Sequence, residues 1–228
     1  MNFTQKRILI AAIHYPVASG RYLARAFRRL GHDVKTVGPA QGTSVWGMEV
    51  DKRHVWEPDF EPKLTLYPSW AQWGEIDAIM SWIPDLVITS DSAYTVRGCP
   101  DYLPHVLYGV DNHVRDYELG VEWDYKFLAH SRGYRMEDEN SIWLPCGFDP
   151  ASFRRTTMPW QRPVKAGMVG VMYPARQAVM EALAQEFPPN PMPQVMAALG
   201  LLYEDYSDFY NKTLVSVCVS AADDVAQR

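Results

Sequence analysis

Continuous apolar runs and stretches of helical spacing alternate along the first 150 residues of this chain. "RILIAAI", Arg7–Ile13, is uninterrupted and rich in isoleucine, which predicts a strand buried on both faces. In "SGRYLARAFRRLGHDV" the side chains Tyr22, Leu23, Ala26, Phe27 and Leu30 fall on one helical face; Ser19 can cap the start and Gly31 ends it. A second strand begins at Val34–Val37. Strand, helix and strand within about 30 residues is the signature of a right-handed parallel βαβ unit. From Pro39 to Tyr67 no period is sustained, so this segment is either functional or hides short strands. Order returns with a helix in which Ser69 can be the cap and Trp73, Ile76, Met80 and Ile83 keep helical spacing. "PDLVITS", "HVLYGV" (105–110), "DYKFLAH" (124–130) and "SIWLP" then read as strands. Regular alternation of this kind predicts a doubly wound α/β domain.

Beyond it, "SIWLPCGFDPASFRR" (141–155) closes one pattern and precedes another. Leu144-Pro145 stops a strand, Gly147 permits positive φ, and Asp149-Pro150 starts a turn. "TTMPWQRPVK" has the polar, proline-bearing composition of a linker. The pattern then restarts. "KAGMVGV" reads as a strand and "YPARQAVMEALAQEF" as a helix, with Pro174 in its first turn and Ala178, Val179, Ala182 and Leu183 on one face. "PQVMAALG" and "EDYSDFYNK" read as short helices and "LVSVCVS" as a strand. The division predicted is an amino-terminal domain over 1–153, a linker over 154–165, and a second, incomplete Rossmann-like domain over 166–228.

Composition narrows the function classes. A content of 47% hydrophobic and 13% aromatic residues supports a sizeable core, and a formal charge of −5 argues against general affinity for nucleic acid. Cys99, Cys146 and Cys218 are odd in number, far apart and in no metal-ligand spacing, which fits a reduced, cytoplasmic compartment. The early apolar run is too short for a signal or a membrane span.

Three stretches together resemble the GT-B glycosyltransferases, and among them the spore-maturation CgeB-like group. "SIWLPCGFDPASFRR" is similar to that family's crossover between domains, which places Pro145, Gly147 and Asp149 there. "GMVGVMYPARQAVMEAL" is similar to the first strand, loop and helix of its nucleotide-sugar domain, and "FYNKTLVSVCVSAADDVAQR" to the run-up to its donor-binding helix. The likeness spans most of the chain and is best from about Val106 onward; the glycine-rich amino-terminal loop of many relatives is replaced by "HYPVASG". The resemblance implies two Rossmann-like domains, an acceptor on the first, a nucleotide-diphosphate sugar as substrate on the second, and no bound metal or tightly bound cofactor. It also implies a chain truncated within the donor domain, with self-association through the apolar surface left uncovered.

Several residues can carry that chemistry. Gly170, Tyr173 and Arg176 follow a strand and open a helix, where backbone N–H groups, the helix's positive end and a guanidinium can meet a diphosphate. The bland alternative is a plain strand–helix connection. Asp111, Asn112 and His113 lie just past the carboxyl end of a central strand; Asp111 and His113 are the catalytic candidates, able to orient or deprotonate an acceptor hydroxyl, against a capping turn. His14 and Tyr15 share that sheet edge and could line the acceptor-side cleft with Asn112. His130, Ser131 and Arg132 also follow a strand end, where helix capping is the better reading. Asp223-Asp224 is a solvated acidic turn rather than a metal site. Trp46, Trp56, Tyr67 and Trp70 could stack on sugars or pack as core or lid. The rivals from other classes are a non-catalytic Rossmann-type binding module and a nicotinamide-dependent enzyme, the latter weakened because no G-x-G-x-x-G follows the first strand.

Overall fold

Arg7–Ala11 forms β1 and Asp33–Val37 forms β2, joined by the helix α1, Ser19–Arg29, and paired in parallel from Arg7↔Asp33 to Ala11↔Val37. The continuous apolar run has a direct structural reason. Leu9 and Ala11 point into one cluster with Val37, Trp73, Val87 and Tyr94, whereas Ile8 and Ile10 point into another with Ala24, Val34, Ile88 and the half-buried Leu23 and Phe27 of α1. A strand covered on both faces cannot alternate polar and apolar residues, and each such aliphatic side chain contributes about 1.5–3 kcal/mol by burial.

The computed structural model describes residues 4–45, 48–60, 70–77, 81–90, 94–110, 121–129, 139–145, 147 and 149–218. After β2 come a small antiparallel pair, β3 (Ser44–Val45) with β4 (Met48–Glu49), and a 3-10 turn at Lys52–His54. Next are β5 (Trp70–Gln72), α2 (Trp73–Asp77), β6 (Leu86–Ser90), β7 (Thr95–Arg97), β8 (His105–Gly109), β9 (Tyr125–Leu128) and β10 (Ser141–Trp143). The main sheet has six parallel strands in the order β10-β9-β8-β6-β1-β2, and β5 pairs with β7 in a separate parallel ladder. Outside β2, Phe60 makes a single parallel bridge to Val37, a rudimentary further strand. The order therefore reverses direction between β1 and β6, as in doubly wound folds.

Three local expectations need correction in this part. The cap of α1 is Ala18, not Ser19; the Ser19 hydroxyl instead meets the Ser90 hydroxyl at 3.0 Å, tying the helix start to the end of β6. Leu30 lies past the last turn and is 61% exposed. The helix expected from Ser69 to Ile83 is described only as α2, after a strand that uses Trp70–Gln72; Ile83 lies outside it and is exposed, while Trp73 and Ile76 are buried as the spacing predicted. Ser69 and Met80 lie outside the described residues.

By its internal contacts the chain divides into two compact units, Met1–Cys146 and Gly147–Arg228. The second contains β11 (Val164–Val169), α3 (Pro174–Glu186), β12 (Val195–Ala198), α4 (Tyr203–Lys212) and β13 (Thr213–Ser216), with a parallel sheet in the order β12-β11-β13. "PQVMAALG" is thus the strand β12 and not a helix, because pairing of Val195–Ala198 along a free edge of β11 outweighs the helical propensity of Met and Ala. On α3 the buried positions are Arg176 and Met180, with Leu183 half-buried; Ala178, Val179 and Ala182 are exposed, contrary to the face predicted. Nor is the segment after Phe153 a free linker. Asn211 of α4 donates from Nδ2 to the Arg154 carbonyl and accepts at Oδ1 from Thr156 N, and Arg162 donates to the Thr213 carbonyl, so residues 154–163 are stitched to the second unit.

Candidate functional site

The connection from β11 to α3 is short and sharply bent. Gly170 has φ +140°, a conformation that L side chains rarely adopt, and its N–H donates to Ala198 O of β12 at 2.9 Å. Tyr173 is the extended cap residue of α3 and Pro174 its first residue, where the missing N–H costs nothing. The helix start thus stands at the carboxyl end of the sheet, as the sequence predicted for Gly170 and Tyr173.

Arg176 is placed differently from the expectation. It is only 2% exposed, its Nη1 donates to the Val171 carbonyl at 2.8 Å, and its guanidinium carbon lies 5.1 Å from the centre of the Tyr173 ring. Rather than a fork held out to solvent, it clips the loop Val171–Tyr173 onto the first turn of α3 and delivers its charge from beneath.

Beside β11 and β13 lies a crevice of about 370 Å³, lined among others by Arg162, Arg176, Tyr206, Tyr210, Ser216 and Cys218. It reaches from the start of β13 at Thr213 to Cys218 past its carboxyl end. The Tyr210 hydroxyl accepts from Val169 N at 3.1 Å and its ring stands 4.9 Å from that of Tyr206, so α4 braces the last residue of β11 before the Gly170 bend. Arg162 spends Nη1 on Thr213 O and Nη2 on Thr157 O, while its buried Nε has no hydrogen-bond partner among the described residues. Two guanidiniums and no carboxylate line this crevice, which suits an anion. Sequence reasoning missed Arg162, Tyr206, Tyr210 and Cys218. The i, i+4 spacing of the two tyrosines is a readable signal for one shared face, whereas the polar, proline-bearing surroundings of Arg162 give none.

In the first unit the candidates fare unevenly. Asp111, Asn112 and His113 lie outside the described residues, as do His130, Ser131, Arg132, Trp46 and Tyr67 and, in the second unit, Asp223 and Asp224. His14 is completely buried and Tyr15 half-buried, so His14 does not line an open cleft. Its ring lies 3.8 Å from that of Trp56, and burial outweighs the carbonyl of Ala12 and the charge of Asp59 to lower its pKa from 6.5 to about 4. Trp70 sits under the Arg97 guanidinium at 4.8 Å rather than over a cleft. A second buried histidine, His105, bonds through Nε2 to Thr89 Oγ1 at 3.1 Å, and Thr89 bonds Thr95 at 2.8 Å, a polar chain crossing β8, β6 and β7. At the crossover, Pro145 is half-buried, and a Cβ at the exposed Gly147 would meet nothing within 4 Å. Asp149 is buried, accepting from Ala151 N and Ser152 Oγ as the turn starter expected.

Among the described residues no group of three or more His, Cys, Asp or Glu could hold a metal ion, and no helix is long and apolar enough to cross a membrane. No family model, no curated protein and no solved structure matches the chain.

Proposed function

We propose that this chain is a glycosyltransferase of GT-B type whose second unit takes a nucleoside-diphosphate sugar in the crevice beside β11 and β13. One observation carries the reading: that crevice borders a bent strand–helix connection and is lined by two guanidiniums without a carboxylate, in a chain of net charge −5. As the glycosidic bond breaks, negative charge gathers on the departing diphosphate, and fixed cations and the positive end of α3 stabilise it most at that moment. Arg176 keeps the Val171–Tyr173 loop in shape and adds potential from below, while Arg162, held by the Thr213 and Thr157 carbonyls, adds a second fixed positive charge. The acceptor hydroxyl attacks the anomeric carbon, the nucleoside diphosphate leaves with the bonding pair, and the hydroxyl proton passes to a general base.

Calorimetric titration with UDP, GDP and ADP tests the reading, with alkylation of Cys218 by iodoacetamide as the report of place. Binding of at least one nucleotide, with a severalfold slower reaction at Cys218, is the expected result. Absence of both would sink the donor assignment. Binding without hydrolysis or transfer of any of the corresponding nucleotide sugars would refute the transferase and leave a binding module.

A further inference from the structure

The amino end of the second unit's sheet is formed by the segments that lead into β11, β12 and β13, and Lys165 N donates to Gln194 O there at 2.7 Å. This end displays side chains that interiors usually take up. Trp160 is 80% exposed, Met192 68%, Met158 45% and Phe187, which ends α3, 37%. Single exposed apolar residues are ordinary, but four on adjoining segments mark a surface that meets a partner.

Two of them stand on braced loops. Trp160 is carried by the 3-10 turn Pro159–Gln161, in which Met158 N donates to Gln161 Oε1 at 2.9 Å and Gln161 N donates back to the Met158 carbonyl. Arg162 then fixes the end of the turn to the Thr157 and Thr213 carbonyls. Met192 is carried by the proline-rich loop 188–193, closed by Gln194 Nε2 donating to the Pro188 carbonyl at 2.7 Å and by Asn190 N donating to the Met192 carbonyl. Side chains held out in this way have little ordering entropy left to lose on docking. We propose that this end of the second unit is a lipid-docking surface, on which Trp160 and Met192 enter the headgroup region of an anionic bilayer while the cations around them face its phosphates.

Charge complementarity selects this occupant. The segments 154–165, 186–195 and 211–213 hold Arg154, Arg155, Arg162, Lys165 and Lys212 against the single carboxylate of Glu186, in a chain whose net charge is −5. Arg155, Lys165 and Lys212 are exposed, and none of them is in an ion pair among the described residues. Each such residue beside an anionic leaflet strengthens binding roughly fivefold. The apolar side chains decide between anionic partners. A bilayer interface takes separate apolar tips without a matching pocket, and an indole settles at headgroup depth. A nucleic-acid backbone would engage the cations and leave Met158, Phe187 and Met192 in water. The proposal does not rest on the nucleotide-sugar reading.

Flotation of the full chain with vesicles of phosphatidylcholine, alone or with about one third phosphatidylglycerol, is the test. The chain should float with the anionic vesicles, and roughly tenfold less with the neutral ones or in high salt. Trp160→Ala and Met192→Ser, at exposed sites where the circular dichroism melt should not change, should each weaken binding roughly fivefold, and Arg155→Glu combined with Lys165→Glu should abolish it. Lipid brominated near the headgroup should quench the fluorescence of the wild type measurably more than that of Trp160→Phe. A chain that does not float with the anionic vesicles overturns the proposal, as does flotation indifferent to Trp160→Ala and Met192→Ser. Binding of polyuridylate or polyglutamate in place of the vesicles would assign the cations to a nucleic acid or an acidic protein and overturn it equally.

Discussion

Lowering the pH should unfold the first unit through two buried histidines. Desolvation lowers the pKa of both His14 and His105 to about 4, with Asp59 near the first and Asp124 near the second opposing the effect only in part. Below the ordinary value of 6.5 the unfolded chain takes up protons that the folded chain refuses, so stability is whole above about pH 6.5 and falls as pH drops toward 4. At pH 5 that gap is worth about 2 kcal/mol for each histidine and about 4 kcal/mol for both, out of a typical total of about 5–15 kcal/mol. The pH range 7 to 5 is the informative one, since most carboxylates stay ionised through it. Urea unfolding at pH 7, 6 and 5 should show the midpoint falling, and His105→Gln, which keeps an acceptor for Thr89, should remove about half of the slope. A wild-type midpoint unchanged between pH 7 and pH 5, or an imidazole of the folded protein titrating near 6.5 at either position, would refute the reasoning.

Other outcomes can be checked more simply. Gly38→Ala should prevent folding or cost more than about 3 kcal/mol, because its Cβ would stand 1.8 Å from the Ala12 carbonyl oxygen at φ +150°; circular dichroism melting decides. Asn211→Ala should cost about 1–3 kcal/mol and speed hydrogen exchange at Thr156, whose N–H loses its acceptor. Tyr210→Phe, by freeing Val169 N beside the Gly170 bend, should weaken nucleoside-diphosphate binding severalfold in the calorimeter while leaving the fold intact. With iodoacetamide at pH 8, mass spectrometry should find Cys218 modified far ahead of Cys99, whose thiol burial pushes up to about 11.

Much of the secondary structure could be read from the chain because burial on both faces leaves an unbroken apolar run, as in β1, β6 and β8, and a half-buried helix leaves a stripe, as in α1 and α4. What escaped was non-local. Val195–Ala198 is a strand because β11 has an edge to offer, and nothing within four residues of Met and Ala encodes that edge. The two- and three-residue strands β3, β4, β5 and β7 are shorter than any period that would reveal them. The face of α3 was misjudged because its most buried position is an arginine, admitted by the Val171 carbonyl and the Tyr173 ring. For the site, the glycine–proline punctuation of the β11–α3 bend was legible, whereas Arg162 lies in linker-like sequence and owes its place to bonds with Thr157 and Thr213 that no local pattern encodes. His14 was readable as a residue at a strand end, but the stacking of Trp56 upon it, 42 positions away, was not.

The stitching of residues 154–163 to α4 also dictates where the polypeptide can be cut. A fragment meant to carry the second unit alone, if begun at Ala166 where the apolar pattern restarts, would lose the backbone partners of Asn211 and the arginine that closes on Thr213, and would expose those buried polar atoms to no replacement. Begun at Gly147, it keeps all of them. Genetic dissection, isotope labelling by segments and protein ligation should therefore place their junction before the Asp149 turn, some twenty residues upstream of the boundary that composition alone suggests.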